Sequence, residues 1–185
     1  MTDALAWLAP RPVDGVGSSG PTDIRALRYD GVLARVPGGG HAAVDLLAAP
    51  QGRATAVREL LPVGAALARA TAAWVHTGRL RPERVEVVVA AHCRPHTAVV
   101  VHRQALPADD VVRVGGVAVT TPLRTAVDLL CFAEEDTAVA ATRVLLRHGL
   151  VPELLEEVLS RPVRRLPTRR ALRLLGRVDP DRCRA

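Results

Sequence analysis

The sequence predicts an α+β protein: a short helix and strand turn, a small mixed sheet of three to four strands with flanking helices, and an Arg-rich C-terminal helix. Three observations carry that prediction. Between Val85 and Thr121 the chain runs through β-branched stretches, "VEVVVAA", "AVVVHRQ" and "VVRVGGVAVTT", separated by turn residues. From Thr121 onward apolar residues recur at helical spacing, segment after segment, with cap and breaker signals at the ends. Charge is also segregated: residues 161–185 hold nine arginines against Asp179 and Asp181, a local +7 in a chain of net charge +6.

Residues 1–21 carry little pattern; "DALAWLA" can form a short helix and "PRPVDGVGSSGP" reads as linker. Thr22 can cap a helix with Asp23 in its first turn. Ile24, Ala26 and Leu27 give its apolar side, Arg25 and Arg28 face elsewhere, and Asp30–Gly31 ends it. "VLARV" then alternates as a strand and "PGGG" turns it. A helix bearing two arginines followed by a strand and glycine turn has the order of a recognition helix and wing. Residues 1–44 are therefore expected to be a truncated, winged-helix-like segment, 45–160 an α/β body and 161–185 an Arg-rich helix and tail.

Within the body, Asp45 to Thr77 is helical in pattern with a break at Pro50. "PVGAALARATAAWVHTG" reads as an Ala-rich core helix with Trp74 on its apolar face and Gly78 as terminator. "VEVVV" and "AVVVHRQ" are two strands joined by a Pro-containing hairpin loop, and Gly115–Gly116 divides a third strand from a fourth. Thr121 caps the next helix with Pro122 at its first position and a stripe of Leu123, Ala126, Val127, Leu129 and Leu130. "EEDTAVAATRVLLRHG" follows, capped by Asp136 and stopped by Gly149, then "VPELLEEVLS". Thr168 caps the last helix, "PTRRALRLLGRV", with Arg169, Arg170, Arg173 and Arg177 opposite Leu172, Leu174 and Leu175.

Composition excludes whole classes of chemistry. All 25 basic residues are arginine, so a phosphate-loop lysine, a Schiff base and the ExK half of a PD-(D/E)XK nuclease are impossible. Aromatic residues make up 2% of the chain, too few for a base-stacking platform. Cys93, Cys131 and Cys183 are an odd set without CxxC spacing, as expected of reduced thiols. With no basic-then-apolar leader and no uncharged run of membrane-spanning length, a cytoplasmic protein without membrane partners is expected.

The stretch "AAHCRPHTAVVVHR" gathers His92, Cys93, His96 and His102. Zinc prefers two short ligand knuckles, and no second knuckle exists, so the stretch reads as a surface loop leading into a strand, with no metal site. No GxSxG or Cys-His signature accompanies the cysteines. Asp109–Asp110 and Glu134–Glu135–Asp136 stand where turn and cap residues belong, which leaves no catalytic residue to nominate.

"GGVAVTTPLRTAVDLL" (115–130) resembles the "dG-x-x-VT-x-P-x-RT-x-x-DL" stretch of AbiEi-type antitoxins of type IV toxin–antitoxin systems. "LLPVGAALARATAAWVHTG", "VEVVV" and "VVVHRQALPADDVVRVGGV" resemble the family's preceding helix and strands, in the expected order. "IRALRYDGVLARVPGGGHAA" is similar to the end of its N-terminal winged helix, although "PGGGHAA" stands where the wing usually reads "RGVYA". The resemblance implies a winged helix that binds its own promoter DNA and a C-terminal domain that counteracts a nucleotidyltransferase-like toxin. Relatives fuse this region to a Vsr-like endonuclease; this chain stops where the nuclease would begin.

The expected function is therefore a non-enzymatic antitoxin or transcriptional regulator without cofactors. Arg25 and Arg28 would contact DNA, as would Arg164, Arg165, Arg169, Arg170 and Arg173 of the C-terminal arm. The alternatives are a truncated interaction module that binds no DNA, and a non-catalytic relative of the endonuclease-fused proteins. Thr121, Pro122, Arg124, Thr125 and Asp128 form the structural signature, with Arg124 and Asp128 four apart on one helix face as an ion pair holding the helix to the strand edge.

Overall fold

The computed structural model describes residues 21–90, 97–161 and 167–178. The N-terminal linker, His92, Cys93, His96, Arg164, Arg165 and Cys183 lie outside the described residues. Helix α1 (Pro21–Tyr29) ends where Gly31 adopts φ +72° and the Val32 N–H donates to Leu27 O at 2.9 Å. Strands β1 (Leu33–Arg35) and β2 (His41–Ala43) follow as an antiparallel pair, with Arg35 opposite His41. Their glycine turn is fastened to the body: the Gly38 N–H donates to Glu83 O at 2.8 Å, and a Cβ on Gly38 would lie 2.5 Å from Leu60 Cδ1.

Short helices α2 (Val44–Leu47) and α3 (Pro50–Thr55) and a 3₁₀ turn lead to β3 (Ala66–Leu67), α4 (Arg69–Thr77), β4 (Val85–Val89) and β5 (Val99–Arg103). A second 3₁₀ turn, Ala108–Asp110, precedes β6 (Val111–Val114) and β7 (Val117–Thr120). Then come α5 (Pro122–Phe132), α6 (Glu135–Arg147), α7 (Pro152–Ser160) and α8 (Thr168–Val178). The larger sheet has the order β5-β4-β3-β7-β6; β3 is antiparallel to β4 and parallel to β7.

The architecture is α+β as expected, with five strands in the sheet where the pattern indicates three to four. The strand missing from the pattern is the central one. Ala66 and Leu67 are 1% and 0% exposed and sit in an Ala-rich stretch whose periodicity imitates a helix. A two-residue strand buried on both faces has no alternation to read. The helix itself begins only at Arg69.

The link between β4 and β5 is a second correction. These strands pair in parallel, Val85 opposite Val99 and Val89 opposite Arg103, so β4 and β5 are not the two arms of a hairpin. The β6–β7 hairpin matches its prediction: Gly115 and Gly116 both have positive φ, as a tight two-residue turn requires. A Cβ on Gly115 would also meet Gln51 O at 2.8 Å, because α3 passes directly over the turn.

Two caps differ from expectation. The Glu134 carboxylate, not Asp136, caps α6 by accepting from the Asp136 and Thr137 N–H groups at 3.1 and 2.9 Å. In α8, Pro167 O accepts from the Ala171 N–H at 3.1 Å, so Thr168 lies inside the first turn. The buried face of α8 is Ala171, Leu174 and Val178, while Leu172 is exposed.

One sheet face, including Leu67, Val85, Val87 and Val119, packs on Ala54, Val57 and Trp74. The other large cluster joins α4 to α8 around Leu129, Leu130, Leu145, Leu155, Leu159 and Leu174, all fully buried. Each such leucine contributes roughly 1.5–3 kcal/mol of burial. Helix α8 is thus built into the helical layer. Among the described residues no helix is long and apolar enough to cross a membrane.

Candidate functional site

The β6–β7 hairpin feeds directly into α5, and the signature residues close that junction. Thr121 Oγ1 accepts from the Arg124 N–H at 3.2 Å, and Pro122 occupies the first helical position, where no N–H is needed. Thr125 is fully buried; its hydroxyl lies 2.7 Å from that of Thr120 and donates to Thr120 O at 3.2 Å. The same carbonyl accepts from His76 Nε2–H at 2.8 Å, which ties α4 to the end of β7. Burial holds the His76 pKa below its ordinary value, so the ring is neutral and donates.

Arg124 radiates from this junction. Its Nε donates to Asp128 Oδ2 at 2.9 Å and one terminal nitrogen to Asp110 Oδ2 at 2.6 Å. The other terminal nitrogen reaches Gln104 Oε1 at 3.2 Å and Ala105 O at 3.4 Å. The guanidinium therefore clamps α5 to the connection between β5 and β6. Burial opposes its charge, yet Asp128 and Asp110 together outweigh burial and raise its pKa. For Asp128 the balance tips the other way: burial raises its pKa despite Arg124, and its Oδ1 is enclosed without a hydrogen-bond partner among the described residues.

Beside the clamp opens a cleft of about 590 Å³. Leu123, Val127, Phe132 and Val158 form its apolar wall, with Arg103, Gln104 and Asp110 at the polar edge. Arg69, in the left-handed region at φ +47°, lays its guanidinium over the Phe132 ring at 5.1 Å. Cys131 is buried next to this wall and its thiol is pushed up to about 11, so it is no nucleophile at neutral pH.

Residues 63–177, from just before β3 into α8, match the model of the AbiEi antitoxin C-terminal domain. The chain belongs to the AbiEi antitoxin family. No curated protein matches it. It is similar to the crystal structure of the Rv2827c protein from Mycobacterium tuberculosis, at 22% identity and a TM-score of 0.46, over 88% of this chain and 67% of that one.

The basic residues of this AbiEi-type chain fall into two sets. On α8, Arg170 donates to Leu130 O and Ala133 O at 2.6 and 2.5 Å, closing the C-terminus of α5. Arg173 pairs with Glu135 at 2.7 Å, and Arg177 with Glu135 and Asp136 at 2.9 Å each. Arg143 of α6 returns the contact by donating to Val178 O and Arg177 O. Arg169 is exposed on the same helix.

At the other end, Arg25 and Arg28 are exposed on α1. Arg28 lines a pocket with Arg35 and Arg81 that sequence reasoning did not assemble. Arg53, 6% exposed, donates to Val75 O at 2.9 Å and to Leu47 O and Ala48 O at 2.8 and 2.9 Å, so it serves the ends of α4 and α2. Gly78 packs against it, where a Cβ would lie 3.1 Å from Arg53 Nη1. His102, whose stretch reads in the sequence as a surface loop leading into a strand, pairs with Glu86 at 2.8 Å, and among the described residues no group of His, Cys, Asp and Glu is arranged to hold a metal.

Proposed function

We propose that the chain acts as an antitoxin by binding alone, holding a nucleotidyltransferase-like toxin through its AbiEi domain and regulating its own promoter through DNA contacts. The observation that carries the reading is the family match over 63–177, which takes in the whole sheet, the signature and α8. The cleft beside Arg124 is the candidate toxin-facing surface. An apolar wall with a charged rim is the anatomy of a protein-binding hot spot, and Phe132, 37% exposed, supplies the aromatic anchor. Arg124 and Asp128 would act as positioning residues that set the shape of that rim.

Co-expression with a nucleotidyltransferase-like toxin from the adjacent reading frame, where that frame encodes one, tests the reading. Wild-type chain should restore growth and co-purify with the toxin, and Phe132→Glu should do neither while remaining folded. Failure of the wild type to restore growth would sink the antitoxin assignment. For the DNA half, the chain should shift its upstream duplex at low salt. Arg25 and Arg28 and the C-terminal Arg164, Arg165 and Arg169 are the contacts that support this half. Contact with about six phosphates would give a log–log salt slope near −5. The engagement of Arg170, Arg173 and Arg177 inside the fold favours a second reading, an interaction module that leaves DNA unshifted.

A further inference from the structure

Where the helix–hairpin segment meets the body lies an open pocket of about 480 Å³ lined by residues that include Arg28, Arg35, Arg53, Arg81 and Trp74, with no carboxylate among its lining residues. Arg53 is committed to backbone carbonyls at two helix ends. Arg28, Arg35 and Arg81 make no hydrogen bond or ion pair among the described residues. They come from three separate places: the end of α1, the end of β1 and the loop between α4 and β4. The adjoining pocket brings Arg84 and one acid, Glu83, alongside Arg35 and Arg81. His41, opposite Arg35, registers the excess charge. Burial first, then Arg28 and Arg35, keep its pKa below the ordinary value, and its enclosed Nε2 has no hydrogen-bond partner among the described residues.

Guanidinium groups that converge without an ion pair among the described residues, with Glu83 the one acid in the adjoining pocket, repel one another, and the fold nevertheless holds them around one pocket. We propose that Arg28, Arg35 and Arg81 form a binding site for a phosphate group. Their planar forks suit phosphate oxygens, each offering paired N–H donors, and a bound dianion would cancel the repulsion. Because the three residues belong to the N-terminal segment and the body, the ligand would also bolt the hairpin to the sheet. Two sources share this chemistry: the phosphodiester backbone of a nucleic acid, and the free phosphates of pyrophosphate or a nucleotide. The site shares Arg28 with the DNA half of the proposed function and is independent of the antitoxin half, since it uses none of the cleft residues.

The chain has two tryptophans, so Trp7→Phe leaves Trp74, on the pocket wall, as a fluorescent reporter. Titration of that full-length variant with pyrophosphate, and separately with a short DNA duplex, distinguishes the sources. Saturable change with pyrophosphate that duplex does not displace identifies a free-phosphate site. Displacement by duplex identifies the nucleic-acid backbone, and Arg35→Gln/Arg81→Gln should then lower the log–log salt slope by about 2. In either case the double variant should weaken binding at least tenfold, while Arg147→Gln, an exposed arginine on α6, should not. Binding of neither probe, equal affinity of the double variant, or an equal loss with Arg147→Gln would overturn the proposal. Rescue of growth from the toxin by Arg35→Gln/Arg81→Gln, with phosphate binding lost, would separate this site from the antitoxin function.

Discussion

In α8, Arg170, Arg173 and Arg177 all end on acceptors of α5 and α6, whereas Arg28, Arg35 and Arg81 at the hairpin junction end on none among the described residues. Counted along the chain, the picture is reversed: the C-terminal segment carries the +7 and the first 160 residues sum to −1. The difference teaches that net charge and available charge are separate quantities. An arginine beside a helix C-terminus or a Glu is already neutralised locally, and an arginine in a balanced segment can be left with nothing to bind.

The contrast can be broken most forcefully inside the N-terminal pocket itself. Arg53 shares that cavity with the three unpaired arginines but is built into the fold, so Arg53→Met should cost about 3 kcal/mol by leaving buried carbonyls without donors. Urea unfolding measures this, and a loss below about 1 kcal/mol would show that Arg53 belongs with its neighbours. Arg170→Ala should cost about 2 kcal/mol, as the last turn of α5 loses its cap. If its unfolding midpoint matched wild type, α8 would be a loosely held arm after all.

Acid offers a finer probe. The Arg173 hydrogen bond, with the neighbouring charges, holds the Glu135 carboxyl below its ordinary range. Its contribution is therefore present above that range and lost as pH falls through the lowered value, and Glu135→Gln should flatten the acid arm of the stability profile. Asp128 has the opposite sign. Its pKa is raised by burial, so ionisation opposes folding, and the deficit of Asp128→Asn should be largest at acid pH and shrink as pH rises through the raised value. A deficit that grew with pH would mean that the Arg124 pair outweighs burial. The smallest effect is expected at Arg35→Gln and Arg81→Gln, each within about 0.5 kcal/mol of wild type and with Tm unchanged or higher, since only repulsion is removed.

Much of this fold can be read from residue patterns. The caps and stripe of α5, the Gly115–Gly116 turn and the Arg124–Asp128 pair are local devices, and each lies within a few residues of its own cause. The rest depends on distant partners. Nothing near Ala66 says that it will pair with Val88, and nothing near Val99 says that it will lie parallel to Val85. The arginines show the same limit: residues 169 to 177 look like a solvent-facing row until Glu135 and the end of α5 are placed beside them. The three-arginine pocket is invisible in one dimension because its members come from three elements.

The two-residue β3 has one more consequence, for the order in which the molecule assembles. The β6–β7 hairpin can form on its own turn, and β4 and β5 are also close in sequence. The seam between these halves is spanned by β3, Ala66 and Leu67, and Leu67 must meet Val119 roughly fifty residues away. That pairing is the longest in range within the sheet, and a proline at position 66 would disrupt it.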